Sequence, residues 1–389
     1  MPGELWGKFR SGKCALLFSE EIEGGRVTLG KLDYKTKIIL CLIILNALSL
    51  ISLYSSLHTG GEFRNKDIFY RQIIWISISW IFLVIFSFIN YRLYFDLSIG
   101  VYVANLILLI TVEIWGKKAM GAQRWLSLGI ISFQPSEVSK LAILLILSRV
   151  FSFPFKDNTK HVFLYKVLVP LGLVLIDVLL VFRQPDLGTA VVCLLLFFMM
   201  GLGSGVKKRY FLTLFLIFIF LSPLGWQHLK EYQKKRFIVF LDPNIDPLGA
   251  GYTIIQSKIA VGSGRLYGKG FLSGTQSQFN FLPERHTDFI FTVLAEEWGF
   301  LGVLFLFFIY YTLLRTILDK AAHSEDNFAS SLCIGIASLF FLHIFINIGM
   351  TIGILPVVGL PLIFLSYGGT HILVSFILLG IFFNIVRKC

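Results

Sequence analysis

The sequence predicts an all-α polytopic membrane protein: ten transmembrane helices, both termini cytoplasmic, and a large extracytoplasmic loop between spans 7 and 8. Three observations carry this prediction. Hydrophobic residues make up 56% of the 389 positions and charged residues only 15%, against roughly 45–50% apolar for soluble domains even with glycine counted. Phe alone supplies 39 residues, and that many exposed rings would aggregate in water, so lipid must be the solvent. Apolar runs near the ~20 residues that span a bilayer as a helix recur along the chain. They fall at 38–57, 68–90, 93–112, 136–153, 163–182, 187–204, 209–225, 289–314, 328–350 and 364–386.

Residues 1–37 form a basic leader carrying Lys8, Arg10, Lys13, Arg26, Lys31, Lys35 and Lys37. No apolar core follows the early charges, so the leader is not a signal peptide. The membrane domain proper runs over 38–386. An even number of spans returns the chain to its starting side, and Arg387 and Lys388 match the basic leader, so both ends are read as cytoplasmic. Loops on that side carry Arg92, Lys156, Lys160, Lys207, Lys208, Arg209, Arg315 and Lys320, as the positive-inside rule requires. Loop 226–288 is also basic, with Lys230, Lys234, Lys235, Arg236, Lys258, Arg265, Lys269 and Arg285. Loops of about 60 residues translocate largely regardless of charge, so this one is placed outside. Its cations suit either an anionic ligand or anionic headgroups.

Two further outer elements are 113–135 and the Gly/Pro-rich stretch 349–369. Gly and Pro at that density cannot continue a regular helix, and non-helical backbone at membrane depth survives only when buried in protein or lining a wet cavity. IGMTIGILPVVGLPLIFLSYGG is therefore a re-entrant candidate under a cavity. The net charge of +12 belongs to loops of a membrane protein, and no Arg/Lys-aromatic module supports nucleic-acid binding. The cysteines Cys14, Cys41, Cys193, Cys333 and Cys389 are scattered, without metal or disulfide spacing.

The densest chemistry is GTQSQFNFLPERHTDFIFTVLAEEWGFL, where Glu284, Arg285, His286 and Asp288 precede the eighth span. With a helix starting near Asp288, Asp288, Thr292 and Glu296 fall at i, i+4 and i+8 on one face, Glu296 roughly 12 Å deeper. Asp288 reads either as a helix cap or as a general base, ionised at neutral pH with an ordinary pKa near 4. In GAQRWLSLGIISFQPSEVSKLAILL, Pro135, Ser136 and Glu137 open a helix, Glu137 and Lys140 face together at i, i+3, and Glu296 is the expected partner for Lys140 in a buried ion pair. Arg124 beside Trp125 combines a phosphate-recognising guanidinium with an interfacial aromatic. RQPDLGTA, 183–190, reads as a tight outer turn in which Asp186 caps the next helix. Asp96 and Asp177 are lone intramembrane carboxylates without an assignment, and His286 reads as structural or as a helper. No nucleotide-binding, zinc-protease or serine-hydrolase motif is present.

Together the blocks GAQRWL, FQPSEVSK, RQPDLGTA, DPLGAGYTIIQSKIAVGSGRLYGKGF, GTQSQFNFLPERHTDFIF and NIGMTIGILPVVGLPLIFLSYGG resemble the SEDS family of cell shape, division and sporulation. LPERHTDF, with Arg285 where the FtsW division branch usually has Ala, is similar to the RodA, rod-shape-determining branch. The resemblance implies a multi-pass protein of the bacterial cytoplasmic (inner) membrane. It implies a peptidoglycan glycosyltransferase that polymerises lipid II into glycan strands at the outer face during cell elongation and shape maintenance. Asp288 then matches the family's essential carboxylate. Arg124 and Lys140 match positions tied to function, and Trp125, Glu137, Glu284 and Arg285 sit within the same motifs. A class B penicillin-binding protein transpeptidase is the implied partner. Asp288 would take the acceptor hydroxyl proton, while Arg124, Lys140 and the cations of 226–288 would offset the charge on the leaving pyrophosphate. A divalent cation, Mg²⁺ or Mn²⁺, would suit the same work, although no ligand set stands out. Two other readings use the same features: a transporter flipping lipid II, and a non-catalytic scaffold of the cell-wall synthesis complex. The clustering of charges at the outer side favours the enzyme over the transporter.

Overall fold

A computed structural model describes residues 33–388 apart from 60–61, 64, 120–121, 129–130, 154–162, 228–229 and 280. The expected basic leader lies, but for residues 33–37, outside the described residues, as do Lys156 and Lys160. Helices coincide with the expected apolar runs. They are α1 (Tyr34–Leu57), α2 (Lys66–Phe88), α3 (Tyr91–Trp115), α4 (Pro135–Ser152), α5 (Leu164–Arg183), α6 (Leu187–Gly203), α7 (Lys208–Trp226), α11 (Ile290–His323), α12 (Asn327–Thr351) and α13 (Gly369–Lys388). Seven of these, α1, α2, α3, α5, α11, α12 and α13, are long and apolar enough to cross a membrane.

The connections expected to be loops hold more structure than that reading suggests. Three antiparallel strands, β3 (Lys117–Ala119), β4 (Ala122–Leu128) and β5 (Ile131–Phe133), follow α3, and a two-stranded ribbon, β1 (His58–Thr59) with β2 (Glu62–Phe63), joins α1 to α2. Loop 226–288 contains α8 (Glu231–Leu241), α9 (Ala250–Ser263) and a single turn, α10 (Thr275–Gln278).

Helices α12 and α13 are the buried centre. Against them pack α4 and α6 on one side, α11 and α1 on another, and α2 along α13. The sharp α2–α3 break is closed from α13, where the Asn384 amide accepts from the Tyr91 N–H (2.8 Å) and donates to the Ser87 carbonyl (2.9 Å). Between α12 and α13 the chain leaves regular helix over residues 352–368, as the Gly/Pro pattern of the re-entrant candidate requires. Phe364 anchors this stretch, meeting Phe340 of α12 at 5.3 Å and Phe376 of α13 at 5.6 Å between ring centroids.

Helix α11 is interrupted at Gly299 (φ 65°, ψ −164°), a conformation essentially confined to glycine. The backbone groups freed by this kink are taken over by an arm of loop 226–288. Lys269 and Gly270 N–H donate to the carbonyls of Glu296 and Glu297 (both 3.0 Å), and Phe300 and Leu301 N–H donate to Arg265 and Leu266 carbonyls (2.9 and 3.2 Å). A Cβ on Gly299 would lie 2.2 Å from the Gly268 nitrogen and 2.8 Å from the Leu266 oxygen. Gly299→Ala should therefore cost at least about 1–3 kcal/mol of stability, read as a lowered thermal midpoint of the detergent-solubilised protein. An unchanged midpoint would mean that the arm does not lock the kink.

Candidate functional site

The site grows from the turn that precedes α11. Asp288 lies two residues before the helix, and Phe289 holds the N-cap position without a side-chain cap, so Asp288 does not cap α11. Nor does it share a face with Thr292 and Glu296. Thr292 pairs with Ser257 of α9 (3.0 Å) and Glu296 turns to the arm, whereas the half-buried Asp288 carboxylate sits over Gly359 of the re-entrant segment. A Cβ at Gly359, whose φ is +74°, would lie 3.3 Å from Asp288 Oδ2.

Three consecutive carbonyls hold this turn in place. The His286 carbonyl accepts from Tyr367 N–H (3.0 Å), that of Thr287 from the Ser366 hydroxyl (2.6 Å), and that of Asp288 from the Asn347 amide (2.8 Å). Asn347 also donates to the Leu360 carbonyl (2.6 Å), so one side chain of α12 ties Asp288 to its floor. The Cβ that Gly188 lacks would meet the Val358 carbonyl at 2.9 Å, which sets the start of α6 against the same segment.

Burial pushes the Asp288 carboxyl up to about 6, and the nearby Glu284 and Asp186 charges act in the same direction, while Arg236 and Arg124 oppose them. This is well above the ordinary value near 4 expected from sequence. A carboxylate near 6 is still ionised at neutral pH and is a stronger base than an ordinary one. Burial likewise pushes His286 below its usual value, Glu284 partly opposing, so its ring is neutral at pH 7. Glu284 is exposed and accepts from the Thr287 hydroxyl (3.2 Å), and Arg285 is half-buried beside it.

Arg124 does not stand free for a phosphate. Its Nε donates to the Gln184 carbonyl (3.1 Å) and its Nη2 to that of Pro185, while Trp125 is exposed. Arg124 thereby grips the RQPDLGTA turn. Asp186 caps α6 as the sequence suggests, accepting from Thr189 N–H (3.3 Å), and also accepts from the hydroxyls of Thr189 (3.0 Å) and Ser136 (2.9 Å).

The expected Lys140–Glu296 pair is not formed. Lys140 Nζ bonds Glu137 within α4 (2.7 Å) and His343 Nε2 of α12 (3.1 Å). Glu296 accepts from Lys269 Nζ (2.7 Å), the Thr275 hydroxyl (3.1 Å) and Gln276 N–H (3.2 Å). The reason is geometric: the α11 kink brings the arm onto Glu296, while α4 turns Lys140 toward α12 and α13. His371 of α13 completes the buried group with Nδ1 3.3 Å from Glu137 Oε2. The two histidines escaped the sequence reading, although each sits as an ionisable residue in an apolar run, which is itself a signal. Asp177 is not alone either, since Asn105 donates to it (2.7 Å) and takes the Ser139 hydroxyl (3.2 Å). Asp96 is exposed and lines a cleft of about 640 Å³ with Arg92, Glu325 and Asp326. Among the described residues no three His, Cys, Asp or Glu side chains converge on a metal position.

A polytopic helical membrane protein with a carboxylate set over an unwound, buried segment is the class that this fold and site define. The chain belongs to the cell cycle protein family of FtsW, RodA and SpoVE, whose model matches residues 35–389. It is 42% identical over 320 residues to the peptidoglycan glycosyltransferase MrdB of Escherichia coli strain K12, covering 81% of this chain and 84% of that one. Its fold is similar to a chain of a peptidoglycan synthase complex that coordinates polymerization and crosslinking (TM-score 0.76, 29% identity, 90% of this chain and 97% of that one). It is also similar to the rod shape determining protein RodA of Thermus thermophilus (TM-score 0.68, 26% identity, 92% and 98%).

The polar pairs found here have a direct test. A double-mutant cycle on Glu137→Gln and Lys140→Met should give a coupling of about 0.5–3 kcal/mol, and Lys269→Met with Glu296→Gln should do likewise. Lys140→Met with Glu296→Gln should be additive in the thermal midpoint. Coupling in that last cycle would restore the pairing that the geometry excludes.

Proposed function

We propose that this chain is a peptidoglycan glycosyltransferase of the RodA type, polymerising lipid II into glycan strands at the outer face of the bacterial cytoplasmic membrane during cell elongation. The observation that carries this reading is the half-buried Asp288 carboxylate, raised to about 6, fixed over Gly359 and flanked by Arg124 and Arg236. In the reaction an acceptor sugar hydroxyl attacks the anomeric carbon of the donor. Asp288 accepts the hydroxyl proton as the new glycosidic bond forms, and the lipid pyrophosphate leaves with the electron pair of the broken bond. Arg236, Arg285 and Lys258, carried by the loop above the re-entrant segment, supply positive charge for that leaving group. Arg124 acts by holding the RQPDLGTA turn, Trp125 by anchoring at the interface, and Glu284 by raising the basicity of Asp288. The buried pair of Glu137 and Lys140, together with the Glu296 node, supports the site from beneath and from the arm.

This reading goes with ten spans and cytoplasmic termini, the three shorter helices α4, α6 and α7 crossing together with the seven longer ones. Residues 1–37 are then a cytoplasmic leader, 38–386 the membrane domain, and 226–288 lies outside with the site. A class B penicillin-binding protein that crosslinks the product strands is the fitting partner. The similarity to a chain of a complex combining polymerization and crosslinking supports that choice.

Three outcomes are expected. Purified protein given labelled lipid II should form glycan chains, with an acid limb near pH 6 because protonation of Asp288 removes the base. Folded Asp288→Asn should lose about 10²–10⁴-fold in rate. Polymerisation by folded Asp288→Asn within a few-fold of wild type would mean that Asp288 is not the general base. For the topology, Ser273→Cys should label from outside intact cells and Lys208→Cys should not. The reverse pattern would invert the orientation.

A further inference from the structure

The buried histidines His343 and His371 have no place in the reaction as described, yet one of them touches the segment beneath Asp288. His343 lies 1% exposed on α12, between Lys140 and the re-entrant segment. Its Nε2 is 3.1 Å from Lys140 Nζ and its Nδ1 is 3.1 Å from the Pro361 carbonyl. An ammonium has only donors and a carbonyl only acceptors. His343 must therefore be the neutral Nδ1–H tautomer, accepting from Lys140 and donating to Pro361. No rotation of the ring or change of proton satisfies both neighbours, so the arrangement has a single state.

The position of that carbonyl matters. Pro361 follows Leu360, whose carbonyl takes Asn347, one turn along α12 from His343. Leu360 follows Gly359, the residue under the Asp288 carboxylate. Side chains at i and i+4 share a helix face, so one face of α12 holds two successive carbonyls of the floor and, through Asn347, the Asp288 carbonyl as well. Lys140 is held in turn by Glu137 at 2.7 Å, and Glu137 by His371 at 3.3 Å. A continuous polar strut thus runs from α13 and α4 through His343 to the floor of the site.

Resting on the glycosyltransferase reading, we propose that His343 is a positioning residue for glycosyl transfer: it couples the Glu137–Lys140 ion pair to Pro361 and so fixes the floor against which the Asp288 carboxylate is aimed. A displacement of about 1 Å in a group that aims a reacting atom is worth up to about 10²-fold in rate, whereas substrate binding at the outer mouth is untouched. The signature is therefore a loss in kcat without a matching rise in KM.

The experiment is steady-state polymerisation of labelled lipid II by the purified full-length chain, with the thermal midpoint of each variant measured in the same detergent. His343→Leu removes both contacts. It should lower kcat at least 10-fold with KM within about 3-fold of wild type. His343→Gln keeps one donor and one acceptor on one side chain and should restore kcat to within about 3-fold. His343→Asn stays polar but is too short to meet Lys140 and Pro361 together. It should behave like His343→Leu, and it carries the test where the leucine variant does not fold. Wild-type kcat in either His343→Asn or folded His343→Leu overturns the proposal. So does a glutamine variant as slow as the others, or a loss that appears only in KM. A wild-type protein that binds lipid II and makes no glycan overturns the glycosyltransferase reading itself, a failure seen before any variant is compared.

Discussion

The structure depends on satisfying the backbone of residues 352–368. A segment that leaves helical geometry among membrane-spanning helices exposes carbonyls and N–H groups that lipid cannot serve, and each unpaired group costs several kcal/mol. Here the partners come from side chains on surrounding helices. Asn347 takes the Leu360 carbonyl, His343 that of Pro361, Tyr310 that of Ile363 (2.7 Å), Ser49 that of Leu365 (2.7 Å) and Gln72 that of Ser366 (3.4 Å). Arg236 reaches the Val357 carbonyl from loop 226–288 (3.2 Å), and Ser366 closes the set by accepting from Leu362 N–H (2.8 Å). Donors from α1, α2, α11 and α12 thus converge on one irregular stretch. This explains why these helices carry isolated polar residues in apolar runs.

The same contacts place Asp288. The three carbonyls of the turn 286–288 accept from Tyr367 N–H and the Ser366 hydroxyl of the segment and from the Asn347 amide of α12, so turn and floor are tied together. The Asp288 carboxylate lies over Gly359, where burial outweighs the opposing charges of Arg236 and Arg124. It remains partly desolvated and is raised to about 6. Arg236 donates to the Val357 carbonyl and Arg124 to those of Gln184 and Pro185, and the charge of both opposes the raising of the Asp288 carboxyl. A site built of fixed charges at moderate range is suited to charge that develops during a reaction and is absent before it.

Much of this architecture was legible in the sequence because it follows from local pattern. Each apolar run of near-spanning length is a helix, the Gly/Pro density of 349–369 marks the unwound segment, and Asp186 caps α6 where Pro185 sets the bend. What was not legible depends on which faces meet. Lys140 and Glu137 were seen to share a helix face, but the choice between Glu137 and Glu296 turns on the α11 kink, and that kink exists because Gly299 adopts a conformation closed to other residues. The arm that fills the kink reads as plain loop, since it makes its ladder with a helix and not with a strand. Arg124 looked free for an anion because nothing local shows that the Gln184 and Pro185 carbonyls lie within its reach. The strands of 117–133 were missed because short ribbons leave no period long enough to detect.

The buried charges follow from the same constraint. A Glu–Lys pair removed from water gains little over an apolar pair of equal volume and costs heavily when one partner is lost, so stability alone does not account for Glu137 and Lys140. Their value lies in what Lys140 does to His343. An ammonium on one side fixes the tautomer, and a fixed tautomer directs its N–H at the Pro361 carbonyl. A neutral neighbour in place of Lys140 would leave the ring free to choose either proton position, and the floor beneath Asp288 would lose its one-way latch. The ion pair, the histidine and the unwound segment meet one requirement: the segment beneath Asp288 must be held in place, and only directional polar contacts hold it where the hydrophobic effect between helices is absent.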